Sequence, residues 1–340
     1  MATDPRSIAI LCHAGPGGST HVAARLAGAL GERGHRVALI SAAPPRVPAP
    51  TLADVTLEPF GPPDGAGWST TLEPTWDEWR LGLLERHVES VVRRHAVSVL
   101  HYHYAWPFAG IVRRLKRRLG AEAPQFVCTL HGTDVTQPPV AAGRAALADT
   151  DAYTTVSHAY AALATRRLGL PAAPLVIPNF VDAANCPKSV DFAQCGRRPR
   201  LIHVSSFRPV KDPAAVAAIF AAVRREVDAD LWLVGDGPGL PALRDRLRDE
   251  GVEQRVRVFG YRTDPLDLLR QCYVLLVTSR EESFCLTALE AMACGLAIVG
   301  TAVGGFTEVV SDGDCALLYP AGDDAAGAQR RQPGAVADQP

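Results

Sequence analysis

The chain has 340 residues, of which 47% are hydrophobic and 21% charged, with a formal net charge of −1. That length suits two domains of roughly 100–200 residues each, and the balance is that of an ordinary globular protein. The near-neutral charge excludes a strong general field for nucleic acid or an anionic membrane, and no stretch approaches the roughly 18–20 apolar residues of a membrane helix.

The first residues, Met1 to Arg6, are polar, and the apolar run Ile8–Cys12 is too short for a signal-peptide core. A cytoplasmic protein is expected, without stable membrane insertion. The eight cysteines lack CxxC spacing and read as small apolar core residues. Arginine greatly outnumbers lysine, and Lys116, Lys188 and Lys211 are the only lysines.

Short apolar runs alternate with amphipathic stretches. The pattern predicts strands at Ser7–Cys12, Val37–Ser41, Val99–His103, Phe126–Leu130, Ala152–Val156 and Leu175–Ile177. A second series follows at Leu201–Ser205, Leu231–Val234, Arg255–Phe259, Val274–Val277 and Ala297–Gly300. Strands spaced by helices imply parallel sheets covered on both faces. The expected fold is α/β, with two Rossmann-like domains facing across a cleft. The first covers 1–182, a polar and basic linker 183–200, and the second 201–322. The final stretch, 323–340, has no clear periodicity and is expected to be a mobile tail.

Five segments suggest chemistry. Gly15-Pro16-Gly17-Gly18-Ser19-Thr20 follows the first strand and precedes a helix over about Ser19–Arg33, ended by Gly34. Its glycines allow close backbone approach, and the helix start favours an anion. A nicotinamide site is disfavoured: Thr20 stands where a third glycine would be, and no acidic residue follows the second strand. His131-Gly132-Thr133-Asp134 follows another strand end, where His131 can donate to a substrate oxygen; a loop histidine satisfied by Asp134 is the plainer alternative. Arg208 and Lys211 lie three apart at the start of the second series, a spacing that suits a diphosphate and its developing charge. Glu282 and Glu290 bracket seven residues, and each carboxylate can accept from a pair of sugar hydroxyls; charges favoured by the helix dipole are the alternative. Gly304-Gly305 forms a further glycine turn able to offer N–H groups to phosphate.

Together these segments resemble the retaining GT-B glycosyltransferases with the Glu-x7-Glu motif (glycosyltransferase family 4). Within them the chain is most similar to the N-acetylglucosaminyl L-malate synthases of bacillithiol biosynthesis. The closer match rests on Gly17-Gly18-Ser19, His101-Tyr102-His103-Tyr104-Ala105, His131-Gly132-Thr133-Asp134, Thr155-Val156-Ser157-His158, Asn179-Phe180-Val181-Asp182, Phe207-Arg208-Pro209-Val210-Lys211, Val234-Gly235-Asp236-Gly237-Pro238 and Glu282–Gly295. The similarity runs from about Ile8 to Asp323.

The resemblance implies a UDP-sugar donor, with UDP-N-acetylglucosamine expected, and a small polar acceptor such as L-malate. It implies no cofactor and no metal. Gly17 and Gly18 would lie beneath the diphosphate, which Arg208 and Lys211 would hold. His131 would contact the transferred sugar. Glu282 and the backbone of Ser283, Phe284, Cys285 and Leu286 would bind that sugar, and Glu290 the ribose. Ser19, Arg46, Tyr104 and Thr133 would hold the acceptor. A homodimer stays open. The subgroup usually has Gly where Cys285 stands and Asn where Ser206 stands. The family's chain also continues past Asp323 with helices that cross back onto the first domain, so this chain is expected to be C-terminally shortened. The competing expectations are the same transfer to another small acceptor (inositol phosphate, or a secondary-metabolite thiol or hydroxyl), or a folded but inactive remnant.

Overall fold

A computed structural model describes residues 4–15, 17–61, 76–137, 141–181 and 198–329. The chain divides into two compact units, Met1–Pro178 and Asn179–Pro340. Most of the expected linker, as far as residue 197, lies outside the described residues.

In the first unit the strands are β1 (Ser7–Leu11), β2 (Arg36–Ser41), β3 (Val55–Pro59), β4 (Val99–His103), β5 (Gln125–Leu130), β6 (Ala152–Thr155) and β7 (Leu175–Val176). The helices are α1 (Gly18–Glu32), α2 (Glu78–His95), α3 (Ala109–Leu119), α4 (Thr133–Thr136), α5 (Ala141–Leu147) and α6 (His158–Leu168). The sheet order is β3-β2-β1-β4-β5-β6-β7, and every pairing is parallel. The apolar run of β1 serves both faces. Ile8, Ile10 and Cys12 join a cluster with Ala23, Ala24 and Ala27 of α1, while Ala9 and Leu11 join one with Leu84, Val88 and Ile111 of α2 and α3. A strand covered on both faces needs no polar alternation, which is why β1 reads as a continuous apolar run.

The second unit repeats the plan. Its strands are β8 (Arg200–Val204), β9 (Asp230–Val234), β10 (Val256–Gly260), β11 (Val274–Val277), β12 (Ala297–Thr301) and β13 (Ala316–Tyr319). Its helices are α7 (Pro213–Glu226), α8 (Leu240–Asp249), α9 (Leu266–Leu269), α10 (Leu286–Ala293), α11 (Phe306–Val309) and α12 (Asp324–Gln329). The order is β10-β9-β8-β11-β12-β13, again all parallel. Trp232 and Val234 of β9 pack into one cluster, and Leu231 and Leu233 into the cluster on the opposite face.

One expectation changes. The tail reading began at residue 323, yet Asp324–Gln329 form α12. Asp323 Oδ1 accepts from the Ala326 N–H at 2.9 Å. The buried face is Gly327 and Ala328, residues too small to produce a visible apolar stripe. Residues 330–340 lie outside the described residues. No helix among the described residues is long and apolar enough to cross a membrane.

Helix α1 packs backbone to backbone on the loop before β3. A Cβ built on Gly28 would lie 2.1 Å from the Thr51 carbonyl oxygen. Alanine normally stabilises a helix interior by up to about 1 kcal/mol over glycine. At this position overpacking dominates, and Gly28→Ala is expected to lose about 2 kcal/mol in urea denaturation; a stabilised variant would show that α1 does not sit this close.

Candidate active site

Each sheet changes winding direction once. The change falls between β1 and β4 in the first unit and between β8 and β11 in the second. Ligands of open parallel sheets bind beyond the carboxyl ends of strands at such switch points. In the second unit the segments that follow the flanking strands are Ser205–Lys211 and Thr278–Leu286, which carry Arg208, Lys211 and Glu282.

These two loops are stitched together. Lys211 Nζ donates to Glu282 Oε1 at 2.5 Å, and Ser279 Oγ donates to the same oxygen at 2.8 Å. Thr278 Oγ1 donates to the Lys211 carbonyl at 2.7 Å, and the Arg280 N–H to the Val210 carbonyl at 2.8 Å. Arg280 Nε also reaches Asp212 at 2.8 Å. Glu282 is only 7% exposed. Burial alone would depress the Lys211 ammonium, but Glu282 outweighs it and holds Lys211 above its ordinary value. Lys211 therefore stays charged, with protons to spare for an anion. Exposed Arg208 bonds Ser206 Oγ through Nε at 3.1 Å. Under the loop, neutral His203 donates from Nδ1 to the Leu276 carbonyl at 2.9 Å and accepts from Ser205 Oγ at 2.8 Å. Burial pushes that ring down to about 4.

The Glu-x7-Glu segment bends at Cys285, which adopts φ 73° just before α10. Among the described residues, the N–H groups of Ser283, Phe284, Cys285 and Leu286 donate to no backbone acceptor. The first turn of a helix leaves such donors over. Glu290 is 5% exposed inside α10, so it is not a solvated helix acid. At the glycine turn Gly304-Gly305, one of the N–H groups expected to be available to phosphate is already engaged. The Gly305 N–H donates to the Glu282 carbonyl at 2.8 Å, and a Cβ on Gly304 would lie 2.3 Å from that same oxygen. The turn seats the backbone of Glu282.

In the first unit, Gly17 and Gly18 are exposed at the start of α1 after β1, and a Cβ on Gly18 would meet nothing within 4 Å. Thr20 Oγ1 donates to the His13 carbonyl at 3.0 Å, fixing the first turn to the strand end. Ser19 is half-buried in that turn. Tyr104 follows β4, and its hydroxyl bonds Thr133 Oγ1 after β5. Asp134 is fully buried and accepts from the N–H groups of His131, Gly132 and Ala105, at 3.1, 2.7 and 3.2 Å. It thus ties the β4 and β5 loops rather than satisfying the His131 ring. Burial raises its carboxyl to about 6 against the pull of those bonds. Arg46 is exposed in the segment after β2, the strand that pairs with β1 on the side away from β4.

Sequence reading missed Ser279 and His13. Ser279 lies three residues before Glu282, a Ser-x-x-Glu spacing that can signal mutual contact. His13 donates from Nε2 to the Trp106 carbonyl at 3.1 Å and packs on Tyr104; nothing in its local sequence marks it.

Residues 16–185 match the model for Glycosyltransferase Family 4, and residues 198–331 match Glycosyl transferases group 1. The chain belongs to this glycosyltransferase family. It is 34% identical to the N-acetyl-alpha-D-glucosaminyl L-malate synthase of Bacillus anthracis, over 93% of this chain and 84% of that protein. Over a shorter stretch it is 31% identical to the D-inositol 3-phosphate glycosyltransferase of Jonesia denitrificans, covering 35% of this chain and 31% of that one. Among solved structures, a sucrose-phosphate synthase from Thermosynechococcus elongatus superposes with a TM-score of 0.77 at 21% identity, covering 96% of this chain and 88% of that one. HepE of Anabaena, solved with UDP and glucose, gives 0.73 at 20% identity, over 95% and 88%. The glycosyltransferase has the GT-B fold.

The Lys211–Glu282 pair predicts a measurable coupling. Removing either partner alone leaves a poorly compensated buried charge. In a double-mutant cycle on folding stability, Lys211→Met and Glu282→Gln together are expected to cost less than their sum by at least about 1 kcal/mol. Additive losses would show that the pair is not formed.

Proposed function

We propose that this glycosyltransferase moves N-acetylglucosamine from UDP-N-acetylglucosamine to a small acceptor such as L-malate, with retention at the anomeric carbon. The observation that carries the reading is the Lys211–Glu282–Ser279 cluster beside Arg208, at the switch point of the second sheet. The relative from Bacillus anthracis supports the choice of sugar and acceptor.

In this reading the C1–O bond to the β-phosphate breaks as negative charge gathers on the departing UDP. Arg208 and the charged Lys211 stabilise that charge, so the protein supplies the cations itself and no metal is required. Both donors to Glu282 converge on Oε1, which leaves Oε2 for sugar hydroxyls. The N–H groups from Ser283 to Leu286 add donors, and Glu290 takes the ribose diol. His131 donates to a sugar oxygen. Gly17 and Gly18 bring bare backbone to the diphosphate. Ser19, Tyr104 and Thr133 hold the acceptor, with Arg46 facing a carboxylate. The acceptor oxygen attacks C1 on the face the phosphate leaves, and its proton passes to the leaving phosphate oxygen.

Purified protein with UDP-N-acetylglucosamine is expected to release UDP when L-malate is added and to form an α-linked product by NMR. A panel containing inositol phosphate tests the alternative acceptor. If no acceptor in that panel elicits UDP release, the reading fails.

Gly18 gives a sharper test. Gly18→Ala meets no protein atom, so folding stability should be unchanged or slightly higher. UDP release should nonetheless fall by about 100-fold, because a methyl group displaces the diphosphate by a fraction of its own size. Wild-type turnover in a stable variant would remove Gly18 from the site.

A further inference from the structure

The roles above use His131 but leave its neighbours unexplained. His101 and His103 lie on β4, and His131 follows β5. Their rings adjoin in a row, with centroids 4.3 Å apart and planes tilted by 36° for His101 and His103, and 5.2 Å apart at 29° for His103 and His131. His101 Nε2 is 2.7 Å from Thr129 Oγ1, which in turn bonds Thr154 Oγ1 at 2.6 Å. This hydrogen-bonded wall backs the row of rings. His131 has one side-chain hydrogen bond among the described residues: its Nε2 lies 3.1 Å from His103 Nδ1. His103 is 1% exposed, and its Nε2 is sealed from solvent with no partner. His131 Nδ1 is not sealed in this way. Burial, reinforced by the neighbouring histidines, drives His103 well below its ordinary value and His131 down to about 3. Both rings are therefore neutral near pH 7.

Two neutral imidazoles that share one hydrogen bond must take opposite roles. If His131 donates from Nε2, then His103 carries its own proton on Nε2, as a buried N–H without an acceptor. If His103 donates from Nδ1, the orphan is a bare lone pair, and His131 carries its proton on Nδ1. Orphaned buried N–H groups are the rarer case in folded proteins. The second arrangement also puts a proton where His131 is open.

We propose that His103 is a positioning residue that locks His131 in the Nδ1–H tautomer, so that His131 presents a hydrogen-bond donor to an oxygen of the transferred sugar. Its orienting partner is another buried histidine instead of the more usual carboxylate or carbonyl. The role assigned to the sugar rests on the proposed transfer; the tautomer does not.

The test reads the two apart. The full chain is labelled with ¹⁵N-histidine, and long-range ¹H–¹⁵N spectra report the tautomer of each ring, with His131→Gln used to assign the signal. Wild-type His131 is expected as the Nδ1–H form. His103→Leu should convert it to the Nε2–H form and lower kcat by about tenfold, the worth of one neutral hydrogen bond, with little change in the KM for the nucleotide sugar. His103→Asn places an amide nitrogen near the Nδ1 position and should restore both tautomer and kcat, which a merely structural loss would not allow. An Nε2–H His131 in the wild type, or a tautomer unmoved by His103→Leu, would overturn the inference. An Nδ1–H His131 without turnover on any acceptor would support the inference while removing the transfer reading.

Discussion

The parallel alignment of every strand is the constraint on which the rest depends. In each unit all strands run the same way, so all carboxyl ends collect along one edge. Chain leaving any strand must cross back to the opposite edge before the next strand begins. Loops far apart in sequence then become neighbours. The pair at β8 and β11 brings Lys211 within 2.5 Å of Glu282, across 71 residues of chain. The pair at β4 and β5 joins Tyr104 to Thr133, and Ala105 to Asp134. The site residues need no local cluster in sequence, because the sheet edge assembles them.

That assembly places titratable groups in poorly solvated positions, and they are accommodated in two ways. The second unit keeps its charges and pairs them. Glu282 is buried, but it has an ammonium and a hydroxyl on one oxygen. Paired charges of this kind add little net stability, although breaking them is costly; their use is to hold a cation at a fixed point. The buried histidines of the first unit lose their charge, as His203 does in the second. Burial lowers His13 and His101 to about 4 and His131 to about 3, and it raises Asp134 to about 6. Neutral imidazoles can both donate and accept.

Much of this was legible in the sequence. Every strand expected from an apolar run is present, within a residue or so at each end, because a strand buried on both faces must be apolar throughout. The two missed strands, β3 and β13, are both edge strands, and β13 is only the short run Ala316–Tyr319. Val55–Pro59 is mostly exposed, with burial at Glu58, so it has no apolar run to find. α12 was missed because its buried face is Gly327 and Ala328. Of the site, the residues at strand ends were visible, since Arg208, Lys211, Glu282 and His131 all follow strong strand signals. What a motif could not reveal was the partner of each. That Ser279 serves Glu282, that Asp134 serves three backbone N–H groups, and that Gly304 makes room for the Glu282 carbonyl are consequences of packing across the edge.

Cys285 shows how tightly this edge is specified. It takes φ 73°, ψ 74° at the entry to α10, a region that costs a residue with a Cβ roughly 1–2 kcal/mol. Glycine, with no Cβ, would occupy it freely. The bend cannot relax, because both its ends are tied down. Glu282 is held by Lys211, Ser279 and the Gly305 N–H, and on the other side the Cys285 carbonyl accepts from Ala288 at 3.1 Å to open the helix. The thiol gains no reactivity from the position, since burial and then Glu282 push it up to about 12. It serves as a small packing group in the cluster with Ala288 and Ala291. Strain at a site persists when its surroundings over-determine it. Here the surroundings are the same contacts that aim Glu282, so the strained bend and the placed carboxylate are one feature of the fold.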